Sequence, residues 1–243
     1  MSYGLARVSG SSPQAREIAA LAHSCAQQVQ QVWPEPWSGN IHIEAPATDT
    51  EYRRLTGAPP GQHSGIAATT LADVHPDGRA SNIRVVLDPE VWAELTAQGR
   101  RVILTHETVH VALLQHPRGP LPTWFVEGMA EYLAYLDSGL EVAEVAAPLL
   151  QRVARDGPPD RLPTDAQFTG DDRAEVYAQA WIACQVAVRL AGQEAVLRSL
   201  IGPAAQRQGQ NGTSQPLPLS TRRLTNAWRA ELQRLAPDSG AGA

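Results

Sequence analysis

The sequence predicts an α+β fold: a small strand-rich N-terminal part with an antiparallel or mixed sheet feeds a mainly helical C-terminal part. Three observations lead there. Short alternating or β-branched runs occupy residues 41–45, 65–70 and 82–87, all within the first hundred positions. From residue 101 onward, apolar residues recur at helical spacing in successive segments. With 243 residues and 43% apolar content, the chain has enough material to bury a sizeable core without staples.

Each element has its own reason. Residues 13–33 read as an amphipathic helix, with Ile18, Leu21, Ala22, Cys25 and Val29 at helical spacing, stopped by Pro34 and Pro36. A short strand at 41–45 precedes a loop rich in Gly, Pro and Thr that runs to about residue 64. Strands at 65–70 and 82–87 are joined by the turn-rich His75-Pro76-Asp77-Gly78. Asp88-Pro89-Glu90 is a helix start, with Asp as cap, Pro at the first helical position and an acid in the first turn. Residues 101–115 form a helix that is apolar on nearly every side except at His106, Glu107, Thr108 and His110. A Pro/Gly run at 116–122 breaks it. Helices follow at 123–135, near 140–155, at 175–190, at 193–200 and at 221–235, with loops at 157–172 and 202–218. The expected organisation is an N-terminal helix and β-rich subdomain (1–100), a helical subdomain of the same domain (101–236) and a flexible tail (237–243).

Composition removes several function classes. A net charge of −5 argues against a nucleic-acid binder or a polybasic membrane-surface protein. All 20 basic residues are Arg, which excludes Schiff-base or P-loop lysine chemistry. No apolar run is long enough for a membrane span. Cys25 and Cys184 lie in apolar helical patterns and read as buried thiols, with one long-range disulfide as the alternative. The first residues contain no apolar stretch of the kind a secretory signal needs.

His106-Glu107-Thr108-Val109-His110 is an H-E-x-x-H pattern on a helix. Positions i and i+4 differ by about 40° around the axis, so both imidazoles leave one face and can converge on one Zn²⁺. Random placement of the chain's His and Glu would produce the pattern only about 0.01 times. The helix is wrapped in Val102, Ile103, Leu104, Val109, Val111, Ala112, Leu113 and Leu114, which predicts burial. A buried Glu with two buried His is costly unless something compensates, and a divalent cation does so directly. Glu107, about 100° round from His106, falls beside such a metal and suits a general base.

A catalytic zinc site needs a third protein ligand and an open position. His116 has the spacing of the third ligand of the metzincins. However, the glycine that breaks the helix in that family is Leu113 here. If the helix continues through Leu113, His116 lies about 240° from His110 and faces away. Glu127 lies 17 residues past His110, beyond the same helix face but within reach of a following antiparallel helix. His23, His42, His63 and His75 have no partner spacing and read as structural or solvent-facing.

His106-Glu107-x-x-His110 followed by Trp124-Phe125-x-Glu127-Gly128-x-Ala130-Glu131 resembles the gluzincins, the thermolysin-like and aminopeptidase-like metallopeptidases. Among these it is most similar to the short bacterial peptidase families of the MA clan. The resemblance implies a thermolysin-like catalytic domain holding one Zn²⁺, with Glu127 as third ligand and Glu131 as a carboxylate orienting a ligand histidine. The alternative for Glu131 is a solvated surface acid. Tyr177 resembles the downstream tyrosine that gluzincins aim at the oxyanion, the alternative being a core tyrosine. Tyr132 and Tyr135 are expected to serve the packing of the Glu127 helix.

The implied activity is peptide-bond hydrolysis through a zinc-activated water, with Glu107 as general base and Tyr177 stabilising the oxyanion. A peptide or protein would be the substrate, held by edge pairing along 65–70 as in the family. The Gly-x-Met-Glu-Asn stretch of the aminopeptidases does not occur, which favours an endopeptidase. The loop 157–172 is either a cleft wall or an ordinary connection. Two alternatives are a zinc-dependent hydrolase or tailoring enzyme acting on a non-peptide substrate, and a non-catalytic zinc-binding domain. Proteases of this type are commonly exported, so the expected compartment lies outside the cytoplasm.

Overall fold

A tight reversal opens the chain. Strand β1 (Ser2–Tyr3) runs antiparallel to β2 (Ala6–Ser9), and Gly4 makes the turn at φ 51°, where a Cβ would strike the His23 ring. Both strands escape pattern reading, because two and four residues are too few to establish a period. The structure is a computed structural model that describes residues 1–10, 12–58, 66–116, 120–201 and 217–237.

The chain folds as two compact units, Met1–Arg118 and Gly119–Ala243. The first holds β1, β2, α1 (Ala15–Val32), β3 (Ile41–Glu44), α2 (Asp49–Thr56), β4 (Ala68–Val74), β5 (Ala80–Leu87), α3 (Pro89–Glu94) and α4 (Ala97–Leu114). Its five strands form one mixed sheet in the order β1-β2-β3-β5-β4. The β2–β3 and β3–β5 pairs are parallel and the outer pairs antiparallel. Strict alternation shapes it: Ala6, Val8, Ile41 and Ile43 are buried while Arg7 is exposed. Those apolar groups pack with Ile18, Ala22 and Cys25 of α1 and with Leu104 and Val111 of α4. Each fully buried Val, Leu or Ile among them stabilises by roughly 1.5–3 kcal/mol. Because α4 packs on α1, β4 and β5, it belongs with the sheet, so the division falls later than the expected residue 100.

Residues 49–56, expected as loop, are helical. The Thr48 side chain accepts from the Glu51 amide, the Glu51 carboxylate accepts from the Ala47 amide, and Gly57 closes the helix at φ 74°. Only Tyr52 of this helix is buried, so no apolar stripe announces it. Strand β5 carries a bulge. Leu71 opposes Arg84 and Asp73 opposes Ser81, which leaves Asn82 and Ile83 facing one residue, and Asn82 takes φ 52°. The Asn82 amide donates to Asp73 at 2.5 Å across the bulge. Asp88 caps α3 as expected, accepting from the amides of Glu90 and Val91.

The second unit is helical: α5 (Thr123–Tyr135), α6 (Val142–Val145), α7 (Ala147–Asp156), a 3₁₀ turn (Asp165–Thr169) within the expected loop, α8 (Arg173–Ala191), α9 (Gln193–Ile201) and α10 (Thr221–Leu235). The bounds of α5 and α10 match the sequence expectation. Helices α5 and α8 meet at Gly128, where a Cβ would come within 2.4 Å of the Ala180 carbonyl oxygen and 2.7 Å of Cys184 Sγ. The fully buried Trp228 of α10 donates its indole N–H to the Gln179 carbonyl at 3.1 Å. Cys25 and Cys184 are free, buried thiols. No helix of the described residues is long and apolar enough to cross a membrane. His63, Gly65, residues 202–216 of the expected loop and residues 238–243 of the expected tail lie outside the described residues.

Candidate metal centre

Helix α4 starts four residues earlier than expected, because the Thr96 hydroxyl caps it by accepting from the Gly99 amide. Burial of Val102, Leu104, Val109, Val111, Ala112 and Leu113 fixes its rotation. The polar residues His106 (8% exposed) and Glu107 (7% exposed) are thereby drawn into the interior, and His110 is half-buried. Within the helix, His106 Nε2 and His110 Nε2 lie 3.0 Å apart, with ring centroids 4.8 Å apart and planes at 68°. Two nitrogens on a tetrahedral zinc at about 2.0–2.1 Å would stand roughly 3.3 Å apart, so the pair is set close to chelating geometry.

The ligand atoms of His106, His110 and Glu127 all lie within 4.8 Å of one another, a group that could hold a metal ion. Two neutral imidazoles and one carboxylate form a donor set that suits zinc: borderline nitrogen ligands, with one negative charge to offset part of the cation's. The residues present therefore fit the ion.

Glu107 is held from the sheet. The Thr70 hydroxyl on β4 donates to Glu107 Oε2 at 2.5 Å. Strand β4 is the last strand on its side of the sheet, and Thr70 sits opposite Val85 in its antiparallel pairing with β5. Sequence reading misses Thr70. Alternation places it on a strand, but no local pattern ties that strand to α4.

The remaining sequence candidates fall as follows. His116 is outside the ligand group. It stacks on Trp33 at 6.3 Å and accepts the Trp33 indole N–H at Nε2, 3.2 Å away. Burial lowers its pKa, and the Glu35 carboxylate opposes that shift. Glu131 lies one turn beyond Glu127 on α5, half-buried, near Tyr135. Burial first, and the charge of Glu131 second, push the Tyr135 phenol upward. Tyr135 stacks on Trp181 at 4.4 Å, and Tyr132 donates to Gln193 Oε1 at 2.9 Å, the packing roles expected of both. Tyr177 is half-buried on α8, its ring edge-on to Phe168 at 5.2 Å.

The other histidines have structural partners. His23 Nδ1 accepts from the Leu5 amide at 3.2 Å, and His75 Nε2 lies 2.9 Å from Ser81 Oγ. His42 does have partners, contrary to its isolation in sequence: Ser9 Oγ lies 2.7 Å from His42 Nε2 and donates to Glu44 Oε2 at 3.0 Å. The acid meets the same imidazole nitrogen as the serine, with Glu44 Oε1 3.4 Å from Nε2. It therefore competes for the serine proton rather than orienting the ring from Nδ1, and the cluster is no nucleophile relay.

Comparison with protein-family models, with curated proteins and with solved structures finds no match to this chain.

Proposed function

We propose that the protein is a zinc-dependent metallopeptidase of endopeptidase type, related to the gluzincins. The observation that carries the reading is the convergence of His106, His110 and Glu127 within 4.8 Å, with a buried carboxylate next to the first histidine. A structural zinc site has no use for Glu107, whereas a hydrolytic site needs a base in that position. When bound, zinc supplies a water made nucleophilic near neutral pH and a polarised scissile carbonyl.

The side chains divide the work. His106, His110 and Glu127 would hold the ion. Glu107 would take the proton of the attacking water on Oε1, while Thr70 occupies Oε2, and would then deliver that proton to the leaving amine. Tyr177 is assigned the hydrogen bond to the developing oxyanion, and Glu131 the orientation of a ligand histidine. The outer edge of β4 offers main-chain donors and acceptors to an extended peptide, which supports a peptide over other substrates.

Metal analysis combined with cleavage of a quenched peptide library tests the proposal. Wild type is expected to carry about one zinc per chain and to cleave internal bonds; Glu107→Gln should keep the zinc and lose at least about 100-fold in rate. A zinc-loaded wild type that cleaves no peptide would move the assignment to a non-peptide substrate. Zinc with four protein ligands would make the site structural.

A further inference from the structure

Helices α1, α3 and α4 of the first unit border a cleft of about 230 Å³ that the proposed chemistry does not use. Ile18 and Leu21 of α1, Trp92 of α3 and Arg100 of α4 line it. Trp92 is the informative wall. It is 4% exposed, and its indole N–H is buried without a hydrogen-bond partner. An N–H withdrawn from water with no acceptor is costly, and an acceptor lodged in the cleft removes that cost. A lone water suits the place poorly, because it needs about two to four polar partners and Ile18 and Leu21 offer none.

Arg100 supplies charge beside that donor. Its Nε donates to the Trp92 carbonyl at 3.2 Å and its Nη2 to the Ala93 carbonyl at 3.3 Å. The guanidinium is thereby pinned to α3, its carbon 5.5 Å from the centroid of the Trp92 ring. No carboxylate among the described residues pairs with it. Glu17 also lines the cleft, but it is exposed and does not reach Arg100 at ion-pair distance. An apolar floor, an orphaned buried donor and a fixed, half-buried cation together describe one ligand chemistry: an apolar body with a carboxylate head. The volume suffices for a body of one aromatic ring, since an apolar cavity of about 150 Å³ takes up benzene.

We propose that this cleft binds a small apolar carboxylate, its head held by the Trp92 indole N–H and the Arg100 guanidinium and its body laid against Ile18 and Leu21. Neither Glu107 nor any of the proposed metal ligands lines the cleft, so the site stands whether or not the protein is a peptidase.

The test is a titration of the full chain with phenylacetate and, separately, with benzyl alcohol, which has the same ring and no carboxylate. The indole ¹H–¹⁵N resonance of Trp92 is the readout, assigned by its loss in Trp92→Phe. Phenylacetate is expected to shift it saturably with a Kd in the millimolar range or tighter, and benzyl alcohol to bind at least about tenfold more weakly. Arg100→Gln should weaken phenylacetate about tenfold or more, and Leu21→Trp, which fills the cleft, should abolish the shift. Arg101→Gln should bind as wild type does, since Arg101 is exposed and reaches Ser24 Oγ instead. No saturable shift by about 20 mM phenylacetate, equal affinity for benzyl alcohol, or an unaltered Kd in either Arg100→Gln or Leu21→Trp would overturn the proposal.

Discussion

The Thr70 hydroxyl donates to Glu107 Oε2 at 2.5 Å, joining the outermost strand of the sheet to the helix that carries both histidines. A carboxylate has two oxygens able to take a proton, and occupying one directs the chemistry to the other. The hydroxyl also holds the carboxylate in a single rotamer. Replacing Thr70 with Val keeps the shape and removes the donor, and a hydrogen bond to a charged group is worth roughly 1.5–3 kcal/mol. On the proposed function, Thr70→Val is therefore expected to lower kcat about 10-fold or more with KM little changed and zinc content intact, and Thr70→Ser should recover most of the loss. An equal fall with Ser and Val would mean that strand packing, not the hydroxyl, is responsible.

The proposed metal ligands make a graded prediction. His106→Ala and His110→Ala each remove one of two nitrogens set for chelation, while Glu127→Ala removes the only carboxylate of the group. Each should reduce bound zinc well below one per chain in dialysed protein, and His116→Ala should not, because that ring is committed to Trp33. Zinc retained by Glu127→Ala but lost by His116→Ala would reverse the ligand assignment.

Gly128 is a packing requirement. A methyl there would lie 2.4 Å from a main-chain oxygen of α8, which cannot rotate away as a flexible side chain would. Gly128→Ala should destabilise the helical unit by about 1–3 kcal/mol, seen as a lower urea midpoint with an unchanged slope. A wild-type midpoint would show that α5 and α8 can part here at no cost.

Legibility in the sequence follows local information. Helix α5 is readable to the residue because Pro122 precedes it and apolar residues recur through it at helical spacing around Glu127 and Glu131. The His106–His110 pair is readable because four-residue spacing fixes one helix face. The same geometry correctly sets His116 apart from that face. Helix α2 is hidden, since its stability comes from caps at Thr48 and Gly57 rather than from an apolar stripe. The Asn82 bulge and the Thr70–Glu107 bond join residues distant in sequence or depend on backbone detail. No periodicity encodes them.

Both thiols should be inert in the native protein. Cys25 and Cys184 are fully buried, and burial pushes the pKa of each up, so little thiolate exists near neutral pH. A thiol-specific disulfide reagent should label neither until denaturant is added, and then both. One fast-reacting thiol in native protein would contradict the burial of that residue.

His116 gives a pH dependence whose sign can be worked out. Its pKa in the folded chain is lowered from 6.5, chiefly by burial, so the fold prefers the neutral ring that accepts the Trp33 N–H at Nε2. A depressed folded pKa means that the unfolded chain binds the proton first as pH falls. The stabilising contribution is thus fully present above the unfolded value and is lost as pH drops through the folded one. His116→Gln offers an acceptor that does not titrate. Between about pH 7.5 and about pH 5, wild type should lose more thermal stability than His116→Gln, the difference isolating this ring from the acids that titrate in both. If the two melting curves fall in parallel, the imidazole is not protonated at the expense of the Trp33 bond.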